Sequence, residues 1–123
     1  MPGMPDLHLG LDLADATRRA GVVWVEVDGQ AHPVWQVWHE GAMYVVSGGL
    51  EQPLPVAAHA VVAVPIDRGV GRWDADIERV LPGTPRWDEV VPLLHAARLN
   101  PPDGVAQPDR WARESTVQRF TPR

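Results

Sequence analysis

The residues with the clearest chemical potential in this sequence follow a hairpin near the middle of the chain. The segment Ser47-Gly48-Gly49, with Gln52 beyond it, places a hydroxyl, two glycines and an amide directly after a strand-like run. Glycines allow backbone N–H groups to turn outward, and successive outward N–H groups form a nest that binds anions such as phosphate. This corner therefore predicts a phosphate-type site, while a plain glycine turn explains the same residues equally well.

Arginines would have to neutralise such an anion, because all eleven basic residues are arginines and the chain has no lysine. Arg68 and Arg72 flank a later turn and are candidates to converge on the anion, although charged residues at a solvated hairpin end are also common. Trp111 and Arg113, near the end of the chain, are candidates to reach across a dimer and hold a phosphate or a flat ring. The alternative for this segment is an ordinary loop that Trp111 ties down.

Six tryptophans are an unusual number for 123 residues. Trp35 and Trp38 lie three positions apart on one predicted strand, so their side chains should face opposite sides of the sheet. We expect one of them in the core and the other facing a groove or a partner, and packing roles for both are the alternative.

Several classes of chemistry are excluded or disfavoured by composition. Without cysteine the chain has no disulfide, thiolate nucleophile or zinc-cysteine site, and without lysine it has no Schiff-base or P-loop lysine. The net charge of −5 with scattered arginines argues against nucleic-acid binding. No apolar run approaches the roughly 20 residues of a membrane span, and the first residues lack a secretory signal pattern, so we expect a cytoplasmic protein that binds neither nucleic acid nor membrane.

The five histidines show no metal-binding spacing, and no GxSxG motif surrounds a serine. We therefore predict no metal site. His59 lies within an apolar run, which favours a core histidine over a catalytic base.

A chain of this length forms one domain, and its apolar patterns predict a mainly β fold. Tight turns at Asp28-Gly29 and Glu40-Gly41 indicate that the first three strands form an antiparallel meander. The predicted strands are 22–27, 33–39, 42–47, 57–64, 72–81 and 115–120, with a short helix at 12–20, a helix at 85–98 and a loop at 101–113.

The helix at 85–98 has clear end signals. Thr84 is a suitable N-cap, and Pro85 suits the first helical position. Pro92 removes one interior hydrogen bond, so we expect a kink or a late start of the helix.

Taken together, the hairpin VWQVWHEGAMYVVSGG, the helix after a fifth strand and the closing STVQRFTP resemble the split β-barrel superfamily of pyridoxamine 5'-phosphate oxidase-like proteins. The resemblance implies a single domain over 1–123, in which 21–122 form a six-stranded antiparallel split β-barrel. Residues 1–20 would be an N-terminal extension with the short helix, and the helix at about 85–98 would pack on the barrel.

The resemblance also implies a cofactor and a partner. It implies a homodimer that binds FMN or coenzyme F420 between its subunits and transfers hydride to a small organic acceptor, with Trp35, Ser47, Gly48, Gly49 and Gln52 near the cofactor phosphate. In the family this loop usually carries a lysine or arginine, where the present chain has Gln52-Pro53.

That departure supports an alternative function, a non-catalytic split-barrel dimer that binds a small ligand or a protein partner. A third possibility is haem binding, for which His39 and His59 are the candidate axial ligands.

Overall fold

The computed structural model describes residues 13–98 and 104–123, which form a seven-stranded antiparallel sheet and three helices. No helix in these ranges is long and apolar enough to cross a bilayer. The strands are β1 (Val23–Val27), β2 (Gln30–Val34), β3 (Val37–His39), β4 (Ala42–Ser47), β5 (His59–Ile66), β6 (Gly69–Val80) and β7 (Thr116–Pro122). The helices are α1 (13–19), α2 (Pro85–Ala97) and α3 (Gln107–Glu114), with a 3-10 turn at Gly104–Ala106.

The strand order shows that the sheet is strongly curled. The strands lie in the order β2-β1-β5-β6-β7-β4-β3, so β2 and β3 are the two edges. Only Trp35 and Gln36 separate these edges in the chain. Since each residue spans at most about 3.6 Å, the edges must lie within roughly 11 Å of each other at this point. The sheet therefore curls nearly into a closed barrel.

Strand β4 separates two hydrophobic clusters, and all six of its residues are buried. Met43 and Val45 belong to the cluster that fills the barrel interior. Tyr44 and Val46 face the other way and pack with Trp111 and the apolar side of α2. This alternation follows from the two-residue period of a strand, and it places β4 between the interior and a layer of helices.

Helix α1 packs against the interior cluster of the barrel, and hydrogen bonds join its end to the segment between β2 and β3. Ala16 and Ala20 contact the interior cluster. The indole N–H of Trp73 donates to the Thr17 hydroxyl at 3.1 Å. The Gln36 amide donates to the carbonyl oxygens of Thr17 at 2.7 Å and Ala20 at 3.2 Å, so it caps the end of α1.

Helix α2 forms where the sequence predicts it. The backbone N–H of Trp87 donates to the Thr84 hydroxyl at 3.2 Å, which confirms the N-cap. Pro92 lies on the exposed side within the helix, and the helix nevertheless begins at Pro85, so the late start considered above does not occur.

The prediction of six strands is wrong by one, because the predicted strand 33–39 is two strands, β2 and β3. The meander is confirmed only in part: β1 pairs with β2 and β3 pairs with β4, but β2 and β3 lie at opposite edges. At the break, the backbone of Trp35 bonds to the side chain of Gln52 instead of to a neighbouring strand.

The predicted loop at 101–113 is wrong for most of its length, since α3 covers Gln107–Glu114. Residues 101–103 lie outside the described part. Trp111 is the one strongly apolar residue in this helix, so no amphipathic period was visible in the sequence. Burial of Trp111 and Arg110 against the rest of the molecule stabilises α3. The short N-terminal helix is confirmed over 13–19.

Replacing Met43 with alanine should lower the free energy of unfolding by about 2 to 5 kcal/mol, because truncating a buried side chain leaves a cavity. Met43 is fully buried in the barrel interior. The control is Val56→Ala, at a residue that is 87% exposed, with an expected change within about 0.5 kcal/mol. Urea unfolding followed by tryptophan fluorescence measures both, and equal effects would contradict the two-sided burial of β4.

Candidate functional site

The segment predicted to bind phosphate, Ser47-Gly48-Gly49 with Gln52, is called the glycine corner below. It packs closely between the end of β4 and the end of α3. Gly48 and Gly49 have φ angles of +84° and +63°, which glycine adopts without steric cost. The Ser115 hydroxyl donates to the Gly48 carbonyl at 2.9 Å. A Cβ on Gly49 would lie 3.0 Å from the carbonyl oxygen of Glu114. The backbone conformation therefore favours glycine at both positions, and close packing adds a size limit at Gly49.

The Gln52 amide bonds entirely to the backbone. Its Oε1 accepts from the Trp35 N–H at 2.8 Å, and its Nε2 donates to the carbonyl oxygens of Trp35 at 3.0 Å and Val46 at 3.1 Å. An amide nitrogen has two N–H donors, and both are used here. Gln52 thus replaces the missing strand neighbour at the crossing, and its predicted contact with a cofactor would require this amide to be released.

Glu51 joins the glycine corner to the end of α2 and to α3. Its side chain is fully buried. One carboxylate oxygen accepts from Arg98 Nε at 2.8 Å, and the other accepts from Arg110 Nη2 at 3.1 Å. Burial acts to raise the pKa of Glu51, but the attraction of Arg98, Trp111 and Arg110 outweighs it, so the pKa lies below its usual value. The carboxylate is charged at neutral pH and pins the loop to Arg98 and α3.

These contacts do not fit a bound phosphate at the corner. The Gln52 donors face backbone carbonyls, and the two arginines that contact the loop bond to Glu51. Gly49 lies against the carbonyl oxygen of Glu114, whose partial negative charge repels an anion. Phosphate binding by this corner stays a prediction that the geometry does not favour.

The two halves of the predicted phosphate site lie at opposite ends of the sheet. Ser47 pairs with Thr116 of β7, whose neighbour Val117 pairs with Val80 at the end of β6. Arg72 lies eight residues before Val80, which is about 26 Å along a strand that rises roughly 3.3 Å per residue. One chain therefore does not bring Arg72 to the glycine corner.

The other predicted site residues are divided between the core and the surface. Ser47 and Trp111 are buried, and Arg113 is exposed on α3. Trp35 packs against the helix-side cluster, and Trp38 packs in the barrel with its ring 6.0 Å from that of Trp73. The prediction that Trp35 and Trp38 face opposite sides is confirmed.

A surface with candidate ligand-binding groups lies instead on the outer face of β1, β5 and β6. It consists of Trp24, His59, Val61 and Arg72, with the buried Ala63 between Trp24 and Arg72, and we call it the outer strip. Their neighbours in sequence point into the barrel, so these side chains point out. Trp24, Ala63 and Arg72 lie side by side across three strands, and His59 lies four residues, or about 13 Å, from Ala63 along β5. Helices α2 and α3 pack against β3, β4 and β7 instead of this face.

The polar groups of the outer strip are accessible. His59 is the first residue of β5 and lies on the outer face, where its side chain is 64% exposed. The prediction that it is a core histidine is therefore wrong. Its Nδ1 lies 3.0 Å from an Asp76 carboxylate oxygen, which also contacts Arg123 at 3.3 Å. Arg72 Nε lies 3.3 Å from both carboxylate oxygens of Glu26. Trp24 is 40% exposed.

A cleft of about 780 Å³ lies between α1 and the β5–β6 turn, at the end of β6 opposite to the glycine corner. Ala16, Ala20 and Ile66 form its apolar floor, and Arg19 and Arg68 lie on its rim. Its volume is in the range of small-molecule sites. Arg68 thus belongs to this end of the molecule and not to the predicted phosphate corner.

A further group that the sequence did not reveal lies where the β3–β4 turn meets α2. His39 Nε2 is 2.7 Å from Glu89 Oε2 and 3.5 Å from Glu40 Oε2. The hydrogen bond with His39 is the main cause that holds the pKa of Glu89 below its usual value. His39 and Glu89 are fifty residues apart, so no spacing rule along the chain could have found the group.

Comparison with known proteins supports the fold. No family model matches the chain, and no curated protein matches it. Among solved structures, the chain is similar to HutZ, the heme storage protein from Vibrio cholerae, with a TM-score of 0.61 and 12% sequence identity over 94% of this chain and 90% of that chain. The present chain has a split-barrel fold. The predicted split barrel is confirmed at this level, whereas binding of FMN or F420 stays a prediction.

Replacing Glu51 with glutamine should lower the free energy of unfolding by about 3 kcal/mol at neutral pH, because it leaves buried arginine charge without its carboxylate. The pKa of Glu51 is lowered in the folded state, so its contribution is fully present above the ordinary value of 4.5 and is lost as pH falls through the folded value. The gap between wild type and variant should therefore narrow below about pH 4.5.

The matched control is Glu78→Gln, which removes an exposed carboxylate that bonds to Arg119 at 2.7 Å. Its expected cost is at most about 1 kcal/mol. Urea unfolding at a series of pH values measures both variants. A Glu51 effect no larger than the Glu78 effect, or a gap that stays constant in acid, would contradict the role of the buried carboxylate.

Proposed function

We propose that this chain is a homodimeric split-barrel protein that binds a flat, anionic, heme-type ligand on the outer strip, between its subunits. The observation that carries this proposal is His59, an exposed imidazole whose Nδ1 is already held by the Asp76 carboxylate. A histidine that ligates a metal typically uses one ring nitrogen for the metal and the other for a carboxylate or carbonyl. Nε2 of His59 bonds to none of the described residues and is the atom that would bind the heme iron.

The rest of the outer strip suits the other parts of such a ligand. Val61, which lies between His59 and Ala63 on β5, contributes partly exposed apolar surface. The exposed Trp24 ring offers a flat surface for stacking. Arg72 would exchange its partly buried carboxylate partner, Glu26, for a carboxylate of the ligand, and arginine binds such groups in a bidentate manner.

The chain's own residues supply binding and shielding in this proposal. Lysine and cysteine are absent from the sequence, so Schiff-base and thiolate chemistry are not available. Any redox chemistry would come from the bound ligand, while the protein fixes its orientation and limits its contact with water. The similarity to HutZ, a heme storage protein, supports a function in storing the ligand and not in catalysis.

The second candidate is the flavin or deazaflavin oxidoreductase that the sequence pattern suggested. Arg72 and Trp24 favour it, since an arginine and an indole suit the phosphate and ring of FMN or F420 as well as those of a heme. The corner of Gln52 and Glu51 would then be a structural joint, and Arg72 would hold the phosphate. Such a complex would not depend on His59, which separates the two candidates.

Titration of hemin into the purified full chain should give a saturable change in the heme absorption spectrum with one heme per chain. His59→Gln should abolish the spectral change, because it removes the iron ligand. The control is His39→Gln, which changes the other candidate histidine on a different face and should bind heme normally.

The same titrations with FMN and F420 distinguish the heme candidate from the flavin or deazaflavin candidate. Flavin binding that survives His59→Gln and weakens in Arg72→Gln favours the second candidate. If hemin, FMN and F420 all fail to bind at micromolar concentration, both candidates are wrong. Heme binding that is lost in His39→Gln and retained in His59→Gln would contradict the outer strip as the site.

The dimer is tested separately. Light scattering after size exclusion should give the mass of a dimer for the wild type and of a monomer for Trp24→Glu, because the new carboxylate would be buried in the proposed interface. Val105→Glu is the control, since Val105 is 94% exposed and lies outside the outer strip. A monomeric wild type, or equal behaviour of the two variants, would contradict dimerisation through this face.

A further inference from the structure

A second site, on another face of the molecule and independent of the proposed function, lies at the junction of the β3–β4 turn and α2. We propose that His39, Glu40 and Glu89 form a binding site for a divalent transition-metal cation of the Zn²⁺ type. The group consists of one imidazole and two carboxylates from two distant parts of the chain.

The distances suit metal coordination. The three potential ligand atoms lie within 4.8 Å of one another. In a tetrahedral zinc site, bonds of about 2.0 to 2.2 Å separate neighbouring ligand atoms by about 3.4 Å. The distance of 3.5 Å from His39 Nε2 to Glu40 Oε2 matches this value, and the 2.7 Å contact with Glu89 has to open by only a fraction of an ångström.

The three side chains are held by regular structure. Glu40 and Gly41 have φ angles of 47° and 80°, as in a two-residue type I′ hairpin turn, which fixes Glu40 beside His39. Glu89 lies in the first half of α2, whose start is fixed by the Thr84 cap. His39 is half-buried, and its ring lies 6.4 Å from the ring of the buried Tyr44. Little chain ordering would therefore be needed on binding.

The charges of the group also suit a cation. Glu40 and Glu89 supply two carboxylates, and Glu89 shares a hydrogen bond of 2.7 Å with His39 Nε2. Metal binding replaces that hydrogen bond with a bond from the neutral Nε2, so the imidazole proton must reside on Nδ1. The positive charge of Arg86, whose Nη1 is 4.0 Å from Glu89 Oε2 and bonds to the Tyr44 hydroxyl, limits the affinity.

The ligand set indicates the class of metal. Imidazole nitrogen favours zinc, copper, nickel and iron over magnesium, and carboxylate oxygen also binds zinc. Exposure of both glutamates leaves a coordination position for water. We therefore expect Zn²⁺ to bind and Mg²⁺ not to bind.

Calorimetric titration of ZnCl₂ into the metal-free full chain tests the site. The wild type should bind one Zn²⁺ per chain in a saturable manner, and MgCl₂ should give no such signal. His39→Gln, Glu40→Gln and Glu89→Gln should each weaken binding at least about tenfold, since even loss of an outer-shell partner costs 10- to 100-fold at metal sites.

The matched control is Asp88→Asn, which changes the acidic residue next to Glu89 on the same helix and should leave the affinity unchanged. Circular dichroism checks the folding of every variant. If His39→Gln does not fold, Glu40→Gln still tests the site, because Glu40 lies in an exposed turn. No saturable Zn²⁺ binding by the wild type would overturn the proposal. Retention of affinity in the three variants, or its loss in His59→Gln instead, would overturn it as well.

Discussion

The crossing of the chain between the two edges of the sheet is the constraint on which the rest of this structure depends. That crossing consists of Trp35 and Gln36 only, so the hydrogen bonds between neighbouring strands cannot continue through it. The amide of Gln52 takes the place of a strand neighbour for the Trp35 backbone, and the amide of Gln36 bonds to the end of α1. An unsatisfied buried backbone group costs about 1 to 3 kcal/mol, so these two glutamines make the curled sheet possible.

The curl also determines which faces are covered. Inside the barrel, side chains from strands all around the sheet share one cluster, and α2 and α3 cover β4 from the other side. The outer face of β1 and β5 receives no such cover, and Trp24 and His59 remain exposed there. Among the described residues, this part of the sheet is therefore packed on its inner face only.

The distribution of charge separates structural from functional groups. Glu51 is buried between Arg98 and Arg110, where its charge serves to join the β4 loop to the helices. A ligand carboxylate can replace Glu26 beside Arg72 at little cost, because surface ion pairs contribute only about 0 to 1 kcal/mol. His59 would keep its Asp76 partner on Nδ1 and offer Nε2 to the ligand. The glycine corner, which has the motif of a binding loop, is therefore better explained as a joint, and the outer strip as the surface with available chemistry.

The sequence by itself determined the elements whose signals are local. The alternation of Trp73, Ala75 and Ile77 with acidic residues defined β6, and the Thr84 cap with Pro85 defined α2, because caps and periodicity act within a few residues. Only the tertiary structure decided that 33–39 is two strands at opposite edges, that α3 exists, and that His39 meets Glu89. These features depend on backbone hydrogen bonds and burial between residues far apart in the chain, which no local pattern encodes.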